Sequence, residues 1–105
     1  MNKYRNVRVE FDGIKFDSKR EANRYIYLKS LEKKGLIAKL VVHPEFVIEV
    51  KGMIICKYIA DFGYFSDGRF IVEDVKADIT KTPVYRLKKK LLLALYNIEI
   101  TEIDK

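Results

Sequence analysis

Asp61, Asp74 and Lys76 are the residues of this chain best suited to carry chemistry. Asp61 closes an apolar run, Lys57-Tyr58-Ile59-Ala60-Asp61-Phe62. Asp74 and Lys76 lie in a second, Arg69-Phe70-Ile71-Val72-Glu73-Asp74-Val75-Lys76. Ser66-Asp67-Gly68 between the runs is a hairpin signal, so the two acids and the lysine belong on adjacent antiparallel strands. Side chains alternate along a strand, which puts Asp74 and Lys76 on one face and Glu73 on the other. Two carboxylates beside an ammonium can hold Mg²⁺ and act on a phosphodiester. That reaction needs a deprotonated water, an offset for charge growing on phosphorus and a stabilised leaving alkoxide, and a carboxylate-held Mg²⁺ serves all three. Mg²⁺ prefers oxygen, keeps several waters and takes only a few protein carboxylates. Lys76 can bind the attacking water or a phosphate oxygen. Glu21, on the first expected helix, is the candidate third carboxylate.

Each residue also has a plainer role. Asp61 could end a strand at a solvated turn. Asp74 and Lys76 could be a surface ion pair worth at most ~1 kcal/mol. Against that, Asp74 stands among Ile71, Val72 and Val75 in what reads as a central strand, where a charge is costly unless it is paired or binds metal. Ser18-Lys19-Arg20-Glu21 is a capping box, in which the glutamate reaches back to the cap N–H without any metal. His43, the only histidine, precedes Pro44; a histidine at such a bend can serve as a metal neighbour or phosphate donor, and the plainer role, a polar residue at a strand edge, is the expectation. Tyr85, Lys88 and Lys89, three and four residues apart, could contact a sugar-phosphate backbone or merely solubilise a helix.

The elements that must position these residues follow from local signals. Val7–Phe11 and Ile14–Phe16 alternate around Asp12-Gly13 and predict a hairpin. A helix is expected from about Ser18 to Lys34, with Ser18 as cap, Gly35 as stop, and Ala22, Tyr25, Ile26, Leu28 and Leu31 as its apolar stripe. Strand-like runs cover Ile37–Val42, Glu45–Val50, Met53–Tyr64 and Arg69–Ala77. Lys51-Gly52 reads as a tight turn, and Pro44 as an edge or bend. A second helix is expected from about Pro83 to Tyr96, capped by Thr82. Val84, Leu87, Leu91, Ala94 and Leu95 should face the core, and Arg86, Lys88 and Lys89 should lie away from it. Ile98–Ile103 alternates as a last strand. The pattern predicts an α/β (α+β) fold over residues 1–105, a mixed central sheet flanked by helices.

Composition narrows the function classes. A chain of 105 residues, 49% of them hydrophobic and 34% charged, suits one domain with a modest core. No apolar stretch approaches the ~20 residues that span a bilayer, and the first residues lack the apolar core of a secretion signal. The one cysteine, Cys56, excludes an internal disulfide and a thiolate zinc site and is expected to pack inside a strand. A cytoplasmic setting is the expectation. The net charge of +6 favours a polyanionic partner, either nucleic acid or an anionic membrane surface. Six basic residues stand between Lys76 and Lys90 against one acid, Asp78.

These residues together resemble the PD-(D/E)xK nuclease superfamily. Tyr58-Ile59-Ala60-Asp61-Phe62 with Asp67–Lys76 is similar to the core hairpin of very-short-patch repair and transposon-end endonucleases. Phe16–Tyr25 resembles their upstream helix, which carries a metal-binding glutamate. Asp12-Gly13-Ile14-Lys15-Phe16-Asp17-Ser18-Lys19 and the Tyr58–Phe62 segment also resemble small nuclease-like proteins of phages and prophages. The resemblance implies a restriction-endonuclease-like αβββαβ core behind an N-terminal hairpin. It implies Glu21, Asp61 and Asp74 as ligands of Mg²⁺ (or Mn²⁺) and Lys76 as the catalytic lysine. Ala60 departs from the proline usual before the first aspartate, and the Glu73-Asp74 doublet leaves two acids to choose from; the spacing to Lys76 selects Asp74.

The resulting expectation is a metal-dependent DNA endonuclease of phage recombination, repair or replication. Lys81, Tyr85, Arg86, Lys88 and Lys89, with a basic arm at Lys3, Arg5 and Arg8, would grip phosphates, and a homodimer would allow both strands to be cut. The alternatives are a nucleic-acid-binding module that keeps the fold without cutting, and an interaction protein whose charges only solubilise it.

Overall fold

The computed structural model describes residues 8–76 and 81–104. Lys3, Arg5, Ala77 and Asp78 lie outside the described residues. Three Xaa-Gly turns set the local architecture. Asp12-Gly13, Lys51-Gly52 and Asp67-Gly68 all have positive φ at both positions, the type I′ geometry whose twist suits a two-residue hairpin. They close β1 (Val9–Phe11) on β2 (Ile14–Phe16), β4 (Glu45–Val50) on β5 (Met53–Ile59), and β6 (Phe62–Ser66) on β7 (Arg69–Val75). The remaining elements are α1 (Lys19–Lys33), β3 (Ala38–Val42), α2 (Pro83–Tyr96) and β8 (Ile100–Ile103).

The central sheet has the order β3-β6-β7-β8. β6 is antiparallel to β3 and to β7, while β8 runs parallel to β7. The fold is therefore mixed α+β, as expected from the sequence. Alternation along β7 divides its two faces. Ile71 and Val75 pack against a core cluster with Ala22, Tyr25 and Leu28 of α1, whereas Val72 joins a second cluster with Tyr85 and Leu92 of α2. Asp74 and Lys76 follow the α2 face and Glu73 the α1 face.

Both helices begin and end on the residues that sequence signals select. Ser18 Oγ accepts the Glu21 N–H at 3.2 Å, and α1 stops before Gly35 at φ +77°. Thr82 caps α2 through the Tyr85 N–H, and Asn97 ends it in the left-handed region. Each arrangement satisfies backbone groups that a helix end leaves open.

Three expectations need correction. The run 53–64 is not one strand: it breaks at Ala60-Asp61, where the chain leaves the β4–β5 hairpin and enters the central sheet. The last strand begins at Ile100, not Ile98. The stripe expected to bury α2 faces largely outward, with Val84, Leu87 and Leu95 exposed at 60, 58 and 41%. Tyr85 and Leu92 are the buried residues instead, with Lys88 and Lys89 half-buried between them. Lysine stems can cover apolar surface while the ammonium reaches a partner, so that face packs although its sequence reads as polar. Cys56 is half-buried against the α2-side cluster. Among the described residues no helix is long and apolar enough to cross a membrane.

Candidate metal centre

The acids meet where the β6–β7 ladder ends. Asp61 immediately precedes β6 and Asp74 is the penultimate residue of β7. They are tied by reciprocal bonds: the Asp61 N–H donates to Asp74 Oδ1 at 2.9 Å, and the Val75 N–H donates to Asp61 Oδ2 at 2.7 Å. The end of β3 clamps the same spot. The His43 N–H donates to Asp61 O at 2.9 Å and the Ala60 N–H to Pro44 O at 3.0 Å. Asp61 is thus placed by backbone bonds on both sides, which explains why the strand must break there.

Glu21 reaches this point from the first turn of α1. One ligand atom each from Glu21, His43 and Asp61 lie within 4.8 Å of one another, with His43 Nε2 3.8 Å from Glu21 Oε1. Asp74 is not one of that trio and joins it through its bond to the Asp61 backbone. Three buried side-chain oxygens or nitrogens lack a hydrogen-bond partner among the described residues, and two of them, Glu21 Oε1 and Asp74 Oδ2, belong here. Buried polar atoms are almost always paired, so an orphaned carboxylate oxygen on each of the two acids that flank Asp61 calls for a cation or an ordered water.

The electrostatics agree. Burial, then the charges of Asp61, Asp17 and Asp74, push Glu21 up to about 7. Burial pushes Asp74 up to about 6 against the pull of Lys76. Asp61 is also raised by burial, with the Val75 N–H, Lys76 and His43 pulling it down. Carboxylates crowded out of water resist ionising together, and a divalent cation would relieve both the crowding and the orphaned oxygens. Its chemistry fits an oxygen-rich donor set.

Lys76 completes the group. Its ammonium lies 4.6 Å from the centroid of the Tyr85 ring, a cation–π contact. Tyr85 is itself locked, because its hydroxyl donates to Glu102 Oε2 at 2.7 Å. Burial and this acceptor raise the phenol far above its ordinary pKa. The expectation that Tyr85 faces a nucleic acid is corrected: only 6% of it is exposed, and its ring supports Lys76. Glu73 is also accounted for. Arg24 Nε and Nη2 grip its carboxylate at 2.8 and 2.7 Å and the Tyr64 hydroxyl donates to it, leaving Asp74 as the acid beside Asp61.

The expected basic surface is partly engaged within the protein. Lys89 and Lys81 lie 3.0 and 3.1 Å from the Glu102 oxygens, and Glu102 is held down to about 2 by the Tyr85 hydroxyl, then Lys89 and Lys81. Lys88 donates to Lys57 O at 2.9 Å. Lys81, Arg86 and Lys89, with Lys90, Leu93 and Glu102, still line an open cleft of about 520 Å³. A second cleft, of about 710 Å³ near the β6–β7 turn, is lined by none of the cluster residues.

Sequence signals rank one member of the site too low and miss another. A histidine at a bend before a proline suits a strand edge or a metal neighbour, and the structure sets His43 beside Glu21 and Asp61. Glu102 shares a face with the inward Ile100, two residues apart on a strand, and an acid on an inward face is a readable signal of a buried partner.

Comparison with curated proteins and with solved structures finds no match. A family model does match, over residues 1–103. The chain belongs to that family, described as protein of unknown function (DUF1064).

Proposed function

We propose that the chain is a metal-dependent deoxyribonuclease of the PD-(D/E)xK type. The observation that carries the reading is that Asp61 meets Glu21 on one side and Asp74 on the other, from three separate segments, with a buried unpaired oxygen on each of Glu21 and Asp74 and with Lys76 acting on both aspartates. The element order supports it. Leaving out the β1–β2 hairpin and the β4–β5 hairpin gives α1-β3-β6-β7-α2-β8, the αβββαβ sequence that the resemblance implies. The net charge of +6 supports a polyanionic substrate.

Asp61, Asp74 and Glu21 would hold the cation. When bound, a divalent cation activates water and offsets charge on the phosphoryl oxygens. Lys76 does its work from a fixed place: Tyr85 supports the ammonium from below, and Glu102 fixes Tyr85. An ammonium so held donates a hydrogen bond to the attacking water or to a phosphate oxygen as charge builds there. Lys81, Arg86, Lys89 and Lys90 along the cleft position the backbone of the substrate without reading its sequence.

The test is cleavage of supercoiled, linear and branched DNA in Mg²⁺ or Mn²⁺, with a chelator control. The reading expects products that disappear with chelator and with Asp74→Ala or Lys76→Ala. Equal cutting by those variants refutes the site. Salt-sensitive binding without cutting under every condition would favour the non-cleaving module instead.

A further inference from the structure

His43 has φ +57°, a left-handed conformation that is strained for a residue with a Cβ, and it precedes Pro44, whose ring restricts it further. Strain of this kind persists where surrounding contacts over-determine it, and it gathers at functional sites. Here the contacts are visible. The His43 N–H is bound to Asp61 O at 2.9 Å, and the imidazole packs beside the Phe16 ring, centroids 6.2 Å apart. Together they aim the imidazole at Glu21 and Asp61. Nε2 stops 3.8 Å from Glu21 Oε1, too far for a hydrogen bond, although that oxygen is buried and has no hydrogen-bond partner among the described residues. Ligand atoms about 2.1 Å from one ion lie roughly 3–4 Å apart. The trio, within 4.8 Å, therefore needs side-chain movements only on the order of 1 Å to close on a cation.

We propose that His43 is a ligand of this cation site, and that the resulting Glu21–His43–Asp61 set takes a first-row transition cation in preference to Mg²⁺. The inference rests on the nuclease reading only in taking Glu21 and Asp61 as ligands. Mg²⁺ demands oxygen and gives up its waters reluctantly, whereas a neutral imidazole beside carboxylates suits later divalent metals. A pure carboxylate site would separate the two cations less, so the share of the preference lost in His43→Asn is the share the imidazole supplies.

The experiment is calorimetric titration of the untagged chain with Mn²⁺ and with Mg²⁺, in the parent, His43→Asn and Asp61→Asn. Asparagine tolerates a left-handed backbone, and thermal unfolding in chelator checks that the fold is kept. The parent should bind Mn²⁺ at least about tenfold more tightly than Mg²⁺. His43→Asn should lose about tenfold for Mn²⁺ and less than about threefold for Mg²⁺. A second readout does not depend on the variant. Because the chain has one histidine, a cobalt-shifted imidazole N–H proton in the NMR spectrum of the Co²⁺-loaded parent identifies His43. Unchanged affinities in His43→Asn, with binding lost in Asp61→Asn, overturn the role of His43 and leave the carboxylate site standing. Equal loss for both cations, or bound Co²⁺ without a shifted imidazole proton, also overturns it. No binding of any cation to the parent removes both this proposal and the nuclease reading.

Discussion

Replacing Glu21 with glutamine should make the metal-free protein more stable, although it damages the site. In the fold Glu21 ionises at about 7 against an ordinary 4.5. The folded chain therefore keeps this proton across a range where the unfolded chain has released it, and stability falls as pH rises from about 4.5 to about 7. Above that window the difference of about 2.5 units corresponds to about 3 kcal/mol, an upper limit because glutamine inherits the same lack of a partner for Oε1. A gain of about 1.5 kcal/mol at pH 8 shifts the melting temperature of a domain this size by roughly 6–12 °C. At pH 5 the unfolded carboxyl is only about half a pH unit above its ordinary pKa while the folded one still holds its proton, and the gain shrinks to about a quarter of its limit. Saturating Mn²⁺ should reverse the order at pH 8, since a ligand at a hundred times its Kd adds about 2.7 kcal/mol to the parent alone. Thermal unfolding followed by circular dichroism, in chelator at pH 8 and pH 5 and then in Mn²⁺, measures all three. If Glu21→Gln melts at or below the parent at pH 8 in chelator, Glu21 does not sit in a crowded, dry, like-charged pocket.

Other outcomes follow from the same contacts. Lys76→Met should lower cleavage by about 100-fold or more, while Mn²⁺ binding by calorimetry stays the same or tightens because a neighbouring positive charge is gone. Arg24→Met should cost about 3–5 kcal/mol in urea unfolding, since it strands the buried Glu73 carboxylate; adding Glu73→Gln should recover part of that loss. Arg86→Ala, in a protein made non-cleaving by Lys76→Met, should reduce the slope of log K against log salt for duplex DNA by about 1. An unchanged slope would remove Arg86 from the DNA-binding surface.

The parts of this fold legible in the sequence are those fixed by short-range chemistry. Ser18 and Gly35 bound α1 because capping and left-handed termination are local events. The three Xaa-Gly turns and the strand alternation placed Asp74 and Lys76 on the α2 face of β7, while Glu73 turned to Arg24. The misreadings came from tertiary effects. No glycine or proline marks the break at Ala60-Asp61; the chain leaves one sheet there because Asp61 is wanted by Glu73, Asp74 and His43 at once. The buried face of α2 is not legible because Val84, Leu87 and Leu95 look like a core stripe, yet Glu102 draws Tyr85 and Lys89 inward on the adjacent face. His43 joins the acids only through a left-handed backbone, which spacing along a strand does not reveal.

The most direct measurement is a crystal soaked in Mn²⁺ and measured at a wavelength where manganese scatters anomalously. The account predicts one strong peak within about 2.5 Å of carboxylate oxygens from both Asp61 and Glu21, with Asp74 lining the same pocket. A crystal with no peak there, or with manganese bound only at surface acids elsewhere, would contradict it.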